Sequence, residues 1–495
     1  MHPAPRPGRW LALRILLAGV VVVATVGTAV ATGIDHEARR IAAPLGHLDP
    51  STERILDKPK PGAAQTILLT GLDHRYSDGK DAKSRSDTMI LVRLDPDAKA
   101  TTMLSLPRDL RVPSLGPPGQ DKLNSAWAQG GATKLTKTIR NTLLGTPADP
   151  FRINDVISVK FDAFAQLVNY FGCLYAEVDR KYFVPPNSGH AQIDQPAGYQ
   201  LLCGQAALAY VRFRVQDSDF IREARQANYI AEVRSQIDPM EAITGDLVQK
   251  VGKYVNTNVA GSPRRLLALA KLGLYVTDKP TARIKLGDLS DADDDSGDVL
   301  TTPQALARAR QQFLHPEVAK QKTKRPAKKT SGGKPRKRRA KRLKAATPAS
   351  LTTDTAGMER SAGVVRGGVS GVDVYAPTLR YGRGAYEDEM TRGYGILGKD
   401  RKPKWPSYRI VATTGDNGQY YGVEGTTWKS PPILALATDA VRLGGRTWRV
   451  QYDGKNIRRL LWQAPSGTYW ITNTLTDELS PKEMYALARS LRKVG

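Results

Sequence analysis

The sequence predicts an α/β fold in which strands alternate with helices in a layered domain. Short runs of β-branched and aliphatic residues are followed by segments whose apolar residues recur at helical spacing, and this alternation is typical of α/β layers. With 495 residues, the chain exceeds one usual domain. A tract rich in Lys and Arg, Lys320 to Lys344, cannot build a core. We therefore expect two folded units joined by a basic linker.

The first unit is expected between residues 64 and 290. Its strands and helices follow one another in the order strand, strand, strand, helix, strand, helix, strand. The corresponding segments are Gln65 to Leu72, Thr88 to Leu94, Thr101 to Leu106, Leu123 to Leu144 (interrupted by Gly130-Gly131), Ile153 to Lys160, Asp162 to Phe171 and Leu174 to Asp179. Further helices are expected over Arg222 to Gln236 and Arg264 to Leu272.

The segment Tyr210 to Gln226 concentrates cationic side chains at a predicted strand-to-helix turn. Arg212 and Arg214 would share one strand face, and Arg222, Arg225 and Gln226 one helix face. Planar guanidinium groups at a turn suit a ligand with several phosphate oxygens. The alternative is a solvated network in which Asp217, Asp219 and Glu223 neutralise these arginines.

After the first unit we expect an acidic loop over Asp291 to Asp298, a helix around Pro303 to Phe313 and a disordered linker that ends near residue 357. Residues 358–495 would form a small α+β accessory domain. Its predicted strands are Ser407 to Thr413, Gly445 to Tyr452, Arg458 to Gln463 and Thr468 to Asn473. Its last helix should begin at Ser480, because Pro481 and Glu483 complete a capping box.

The N-terminal region predicts export. Ile15 to Thr32 is an uncharged apolar run preceded by Arg6, Arg9 and Arg14, so we expect a membrane-spanning anchor with residues 1–14 in the cytoplasm. Residues 33–63 would be a stalk. The small residues Ala29-Val30-Ala31 leave a cleaved signal peptide as the alternative. In both cases the folded units lie outside the cell membrane.

The net charge of +26 would ordinarily suggest a nucleic-acid partner. Lys320 to Lys344 alone carries fourteen Lys or Arg and no acid, so 26 − 14 leaves +12 for the rest of the chain. Such a tract binds polyanions without reading sequence. Outside the membrane we expect no nucleic-acid partner, and the tract is either a contact for anionic wall polymer or a solvated spacer.

Carboxylates and arginines are the candidate chemical groups. The chain has no phosphate-binding Gly-rich loop with Lys, no Gly-x-Ser-x-Gly and no His pair at metal-ligand spacing. Asp73, Arg85, Asp87, Arg108 and Asp109 lie at predicted strand ends, where α/β sheets bind ligands. Asp73 and Asp87 could hold Mg²⁺ or Mn²⁺. The alternative for each carboxylate is a cap, a turn or a surface salt bridge.

Five motifs, taken in order, resemble the LytR-CpsA-Psr family of cell-envelope proteins. They are Gly71-Leu72-Asp73, Arg85-Ser86-Asp87-Thr88-Met89, Ser105-Leu106-Pro107-Arg108-Asp109, Lys122-Leu123-Asn124-Ser125-Ala126 and the Tyr210 to Gln226 segment. The resemblance covers about Gln65 to Asp238. The charge-rich loop from Asp73 to Arg85 departs from the family pattern.

The resemblance implies an α/β/α sandwich with an apolar tunnel for a polyprenyl chain. It also implies metal-assisted transfer of a glycopolymer from a polyprenyl diphosphate to a peptidoglycan hydroxyl, with cleavage of polyprenyl diphosphate as a side activity. Asp73 and Asp87 would then bind the metal, and Asp109 would orient an arginine. The diphosphate would contact Arg85, Arg108, Arg212, Arg214, Arg222 and Gln226, leaving Arg225 as a partner for nearby acids.

The two cysteines, Cys173 and Cys203, look like the paired cysteines of actinobacterial members. In an oxidising compartment a pair is expected to form a disulfide, with two buried thiols as the alternative. Two other functions stay open. One is a non-catalytic transcriptional attenuator, and the other is a wall-binding protein that uses Lys320 to Lys344 and the C-terminal unit.

Overall fold

The computed structural model describes residues 39, 42–60, 62–73, 85–118, 120–186, 188, 192–213, 215, 217–237, 249–250, 252–276, 280–294, 296–318 and 347–495. The predicted anchor, Ile15 to Thr32, and the basic tract, Lys320 to Lys344, lie outside these residues. Among the helices within them, none has both the length and the apolar character needed to cross a bilayer.

The first unit is built on a seven-stranded mixed sheet with the order β1-β10-β5-β2-β3-β4-β11. The strands of the first unit belong to this sheet and to three two-stranded sheets, β6-β9, β7-β8 and β12-β13. They are β1 (Gly46–His47), β2 (Gln65–Asp73), β3 (Arg85–Asp95), β4 (Ala100–Ser105), β5 (Asp155–Lys160), β6 (Leu174–Val178), β7 (Tyr182–Val184), β8 (Ile193–Gln195), β9 (Gly198–Leu202), β10 (Val255–Thr257), β11 (Thr281–Ile284), β12 (Ser290–Asp291) and β13 (Val299–Leu300). Its helices are α1 (Pro50–Ile55), α2 (Ser125–Thr138), α3 (Phe161–Tyr170), α4 (Gly204–Arg212), α5 (Asp219–Arg234), α6 (Pro263–Val276) and α7 (Pro303–Leu314).

Helices cover both faces of this sheet. Strand residues alternate between faces, so Leu68, Leu91 and Leu104 form one core with α2 and α7. Ile90 and Met103 face the other way and pack against α5, and Ile67 and Leu94 pack against Leu269 of α6. The first unit is therefore an α/β fold with three layers, helices on either side of a mixed sheet.

The second unit has two layers of its own. Its strands are β14 (Leu351–Thr353), β15 (Val374–Pro377), β16 (Leu379–Tyr381), β17 (Arg392–Leu397), β18 (Pro403–Thr413), β19 (Tyr420–Thr426), β20 (Asp439–Leu443), β21 (Arg446–Asp453), β22 (Asn456–Ala464), β23 (Gly467–Thr472) and β24 (Leu491–Val494), and its helices are α8 (Thr355–Gly368) and α9 (Pro481–Ser490). Seven of these strands form an antiparallel sheet in the order β17-β18-β19-β23-β22-β21-β20. Helices α8 and α9 cover one face of it. Helix α9 begins at Ser480 with the predicted capping box to Glu483.

The predicted boundaries of the units are wrong in three places. Strand β1, in the predicted stalk, pairs with β10 at one edge of the main sheet. Helix α7 lies beyond the predicted end near Ser290, yet its Phe313 is fully buried in the core of the first unit. The second unit begins at β14, before residue 358. Only residues 319–346, which fall outside the described chain, separate the two units.

A further correction concerns Arg212, which was predicted to lie on a strand. It is the last residue of helix α4, and position 214 lies outside the described residues. Apolar positions in 204–212 recur at helical spacing, with Ala207, Leu208 and Val211 buried. The short run before the arginines fits a strand equally well by composition, and only packing against α3 and α5 distinguishes the two structures.

Candidate active site

Asp87 stands out from the sheet because a β-bulge displaces it. In the register of β2 and β3, Gly71 pairs with Thr88 and Leu72 pairs with Ser86. Asp87 is thus the extra residue of the bulge. A bulge bends the strand and redirects the side chain of the extra residue. The irregularity lies at the end of β3 where the charged motifs converge.

Arg108 joins Asp87 to the loop after β4. Its Nη1 donates to Oδ1 of Asp87 at 2.7 Å, and its Nε donates to Oδ2 of Asp109 at 3.1 Å. The side chains of Arg108 and Asp87 are 14% and 19% exposed, so the ion pair faces the rim of the sheet instead of the core. One guanidinium therefore bridges two carboxylates while staying within reach of a ligand.

Lys122 and Asp298 form a second row of charges behind Asp109. Nζ of Lys122 lies 3.5 Å from Asp109 and 3.6 Å from Asp298. Asp298 is fully buried, and its Oδ2 accepts from Nε of Arg111 at 2.7 Å. Val299 donates to the carbonyl of Asp109 at 2.8 Å. The segment after Asp291, predicted as an acidic loop outside the domain, thus holds the Arg108 loop in place.

Sequence patterns did not predict this second row. Lys122 begins the motif Lys122-Leu123-Asn124-Ser125-Ala126, but no role was predicted for it, and no local pattern distinguishes Asp298 from its acidic neighbours. Hydrogen bonds from Ser296 and Arg111 lower the pKa of the adjoining Asp294 to about 2. Asp294 is therefore a fixed anionic partner for Arg111.

Helix α5 brings Arg222 and Gln226 close to the end of β3 that carries Asp87. Thr88, next to Asp87, donates to Oε1 of Gln226 at 3.3 Å. Nε2 of Gln226 donates to the carbonyl of Val211 at 3.0 Å, beside Arg212 at the end of α4. Arg222 lies one turn before Gln226 and is 4% exposed. The structure thus places Asp87, Arg108, Gln226, Arg222 and Arg212 around one end of the sheet.

Arg225 is a structural residue. Its side chain is fully buried and forms an ion pair with Asp217, which also binds Arg180 at 2.6 Å. Nη1 of Arg225 donates to the carbonyl of Phe213 at 2.9 Å. These bonds tie Phe213, after α4, and Asp217, before α5, to one buried guanidinium. They agree with the expectation that Arg225 pairs with nearby acids.

Two predicted site residues are described by their backbones alone, and a third is not described. The backbones of Asp73 and Arg85 lie opposite each other in the β2–β3 register, two residues from Asp87, and nothing further is described of their side chains. Position 214 lies outside the described residues. The pairing nevertheless sets Asp73 and Asp87 on neighbouring strands at the same end of the sheet.

The donor set fits a hard divalent cation. The described residues contain no group of three or more His, Cys, Asp or Glu that could hold a metal by themselves. Mg²⁺ commonly takes one or two carboxylates and completes its shell with water and substrate phosphate oxygens. Asp87 provides one carboxylate of this kind, and the backbone of Asp73 lies on the neighbouring strand at the same end of the sheet.

The paired cysteines lie away from this site. Cys173 follows α3 and Cys203 precedes α4, and the structure joins them by a disulfide with 4.3 Å between their Cα atoms. Nζ of Lys399 in the second unit donates to the carbonyls of Phe171 and Gly172 at 3.2 and 3.1 Å. The disulfide thus lies where the two units meet.

The fold and the site define an α/β protein that gathers carboxylates and guanidinium groups at one end of its sheet. The family model LytR_cpsA_psr matches residues 29–312. The chain is 33% identical over 253 residues to the polyisoprenyl-teichoic acid–peptidoglycan teichoic acid transferase TagU of Halalkalibacterium halodurans. This alignment covers 49% of the present chain and 78% of TagU. The chain belongs to the LytR-CpsA-Psr family.

Other relatives match the same region. The transferase TagT of Bacillus subtilis is 28% identical over 246 residues, 49% of this chain and 74% of that protein. The crystal structure of B. subtilis TagV aligns over 52% of this chain and 97% of that chain, with 26% identity and a TM-score of 0.41. For these relatives, about half of the present chain is matched.

Proposed function

We propose that this protein is an extracytoplasmic phosphotransferase that moves a glycopolymer from a polyprenyl diphosphate carrier to peptidoglycan. The observation that carries the proposal is the position of Asp87. A bulge redirects it toward Arg108, and its neighbour Thr88 contacts Gln226 of the helix that also bears Arg222. The relatives named as polyisoprenyl-teichoic acid–peptidoglycan teichoic acid transferases support the same reaction class.

The reaction requires charge neutralisation more than covalent chemistry from the protein. The acceptor hydroxyl oxygen bonds to the phosphorus that bears the glycopolymer and releases its proton to solvent. The bond from that phosphorus to the bridging oxygen breaks, and polyprenyl phosphate leaves with the electron pair. The products are a phosphodiester on peptidoglycan and polyprenyl phosphate.

We assign the predicted site residues the following roles in this scheme. Arg108, Arg212 and Arg222 bind diphosphate oxygens, with Arg85 and Arg214 as further predicted contacts, and Gln226 links their helix to β3. Asp109 and Lys122 fix the direction of Arg108. Asp73 and Asp87 would hold Mg²⁺ or Mn²⁺, which when bound neutralises phosphate charge. Guanidinium groups held before the ligand arrives need no reorganisation during transfer.

The test is an assay of the purified full chain with Mg²⁺, a lipid-linked glycopolymer and peptidoglycan. Asp87→Asn should reduce transfer by about 10²- to 10³-fold, the range seen when one preorganised electrostatic group is removed. Asp97→Asn is the matched control, because Asp97 is exposed in the turn that follows β3, away from Asp87. Full activity of Asp87→Asn would refute the assigned site.

The membrane anchor and the wall contact are further parts of the proposal. Ile15 to Thr32 would place the catalytic unit outside the membrane, and a reporter fused after Gly495 that reads as cytoplasmic would contradict this. Lys320 to Lys344 would contact anionic wall polymer. Deleting that tract should then weaken retention on purified wall with a steep salt dependence, whereas unchanged retention would leave it a spacer.

A further inference from the structure

Helix α5 is buried on three sides, although its sequence is mostly polar. Ala227 and Ile230 face the main sheet, and Tyr229 and Val233 face α4 and β6. A third stripe, Ile221, Asn228 and Glu232, is also buried, at the spacing of one helix face. This third stripe packs against the second unit, so a unit far away in sequence covers the helix that bears Arg222 and Gln226.

The second unit contacts this stripe at three points along the helix. At the first turn, Gly418 approaches so closely that a methyl group added there would lie 2.8 Å from Cγ1 of Ile221. In the middle, Nδ2 of Asn228 donates to the carbonyl of Leu475 at 3.2 Å. Near the last turn, Glu232 forms an ion pair with Arg459. The contacts therefore extend over the whole of α5.

The ion pair at the last turn belongs to a buried network. Nε of Arg459 donates to Oε2 of Glu177 at 2.6 Å, and Arg409 also binds Glu177. Thr472 donates to the same carboxylate. Glu177, Glu232, Arg409 and Arg459 are each no more than 5% exposed. Charges buried this deeply keep their geometry only while every partner is present.

The face of the second sheet that lacks helices supplies these partners. Arg409, Glu424, Arg459 and Thr472 point away from the core formed with α8 and α9. Trp470 and Leu461 of the same face pack against Tyr175 and Tyr199 of the first unit. Both faces of this sheet are thus covered, one by its own helices and the other by the first unit.

A second contact holds the far edge of the main sheet. Arg283 of β11 donates from Nη2 to Asp477 at 2.6 Å and from its backbone to Asp453 at 2.7 Å. Gly454 donates to the carbonyl of Thr281 at 3.1 Å. The second unit therefore contacts both α5 and β11. Met103 and Ala227 line a cavity between these two elements.

We propose that the second unit holds helix α5 in position at the diphosphate site. Arg459 is the positioning residue, and it acts on α5 through Glu232. Arg222 and Gln226 are then aligned by a residue that touches no ligand. The catalytic consequence rests on the proposed phosphotransferase function, whereas the effect on α5 can be observed without any substrate. The C-terminal unit then has a role other than binding wall polymer.

The test compares Arg459→Met with Arg449→Met in the full chain by hydrogen–deuterium exchange. Arg449 is exposed on β21 of the same sheet and serves as the control. Arg459→Met should speed exchange across residues 219–234 by about tenfold or more while α2 keeps its protection, because local opening follows local contacts. Unchanged exchange in α5, or an equal increase throughout both units, would overturn the inference.

A milder variant keeps the test informative if Arg459→Met does not fold. Asn228→Ala removes one bond to Leu475 and leaves the charge network intact, so exchange in α5 should rise by about threefold. Arg459→Lys should restore part of the protection, since it returns the cation without the guanidinium fork. The proposal is contradicted if α5 of Asn228→Ala exchanges at the wild-type rate, or if α5 of Arg459→Lys exchanges as fast as that of Arg459→Met.

Activity then separates the inference from the proposed function. If the wild type transfers polymer, Asn228→Ala should raise KM for the lipid substrate by about threefold with kcat less affected, because ligand contacts on α5 lose alignment. An inactive wild type whose α5 still responds to Arg459→Met would refute the phosphotransferase function and leave the positioning role standing. An active wild type with an unresponsive α5 would do the reverse.

Discussion

Two regions of this protein pair arginines with carboxylates, and they differ in burial. At the end of the main sheet, Arg108 and Asp87 are 14% and 19% exposed. Between the units, Arg409 and Glu177 are at most 1% exposed. Arg108 is accessible enough to exchange Asp87 for a phosphate group, whereas a ligand cannot reach Arg409. Between these two ion pairs, accessibility and not residue type therefore separates the one that a ligand can reach from the one that only holds the fold.

The largest expected effect lies in the buried region. Glu177→Gln should lower the free energy of unfolding by about 3–5 kcal/mol, because it leaves Arg409 and Arg459 short of a buried partner. Chemical denaturation followed by tryptophan fluorescence measures this change. Glu389→Gln, at an exposed carboxylate, is the control and should shift stability by no more than about 0.5 kcal/mol. Equal effects of the two variants would contradict the contrast.

Arg108→Gln should show the opposite profile. Transfer activity should fall by about 10²- to 10³-fold, because under the proposed function this guanidinium binds the diphosphate. The midpoint of thermal unfolding should change little, because a partly exposed pair contributes only about 0–1 kcal/mol. Enzyme assays and calorimetry on the same preparation measure both quantities. A large loss of stability with retained activity would place Arg108 in the structural class.

The buried region should also respond to pH. Burial raises the pKa of Glu424 to about 7, although Arg409 opposes this. Because the folded pKa exceeds the unfolded value, this group stabilises the fold fully below about pH 4.5 and loses that contribution as the pH rises through 7. The slope is at most about 1.4 kcal/mol per pH unit for one group. Stability curves of the wild type should fall between pH 5 and 8, and Glu424→Gln should flatten them.

Glu177 behaves in the opposite sense. Burial alone would raise its pKa, but Arg459 and Arg409 outweigh burial and lower that pKa to about 2. Its contribution is therefore present above the unfolded pKa and is lost as the pH falls toward 2. Together the two groups predict maximal stability of the interface in mildly acidic solution.

The smallest expected effect is local to the second unit. Ser480→Ala removes the hydroxyl that accepts from Glu483 at the start of α9 and should cost about 1 kcal/mol. Polymer transfer should be unaffected, since α9 packs on the face of the sheet opposite the first unit. Thermal unfolding and the transfer assay measure the two outcomes. Reduced transfer without a lowered midpoint would contradict the assignment of that face.

Local patterns predicted the elements whose structure depends on near neighbours. The capping box at Ser480, the break at Gly130-Gly131 and strands β2 to β5 of the main sheet all follow from short-range signals, whereas its strands β1, β10 and β11 were not predicted. Arg212 was assigned to a strand because the segment before it is short and apolar, and such runs fit either structure. Its helix is decided by packing against distant elements.

The candidate site was predictable only where motifs mark it. Asp87 and Arg108 lie in motifs, and the structure brings them together. Asp298 contacts Arg111, which lies 187 residues earlier in the chain, and Arg459 contacts Glu232, which lies 227 residues earlier. No local periodicity encodes contacts at this separation, so the supporting charges became visible only in the folded chain.

The most direct measurement of the central claim is the product balance of the transfer reaction. Purified full chain with Mg²⁺, labelled lipid-linked glycopolymer and peptidoglycan should release one polyprenyl phosphate for each polymer attached through a phosphodiester. Asp87→Asn should lower both products equally, and Asp97→Asn neither. Attachment without release of polyprenyl phosphate, or no product from the wild type with teichoic acid or other wall polymers, would contradict the account.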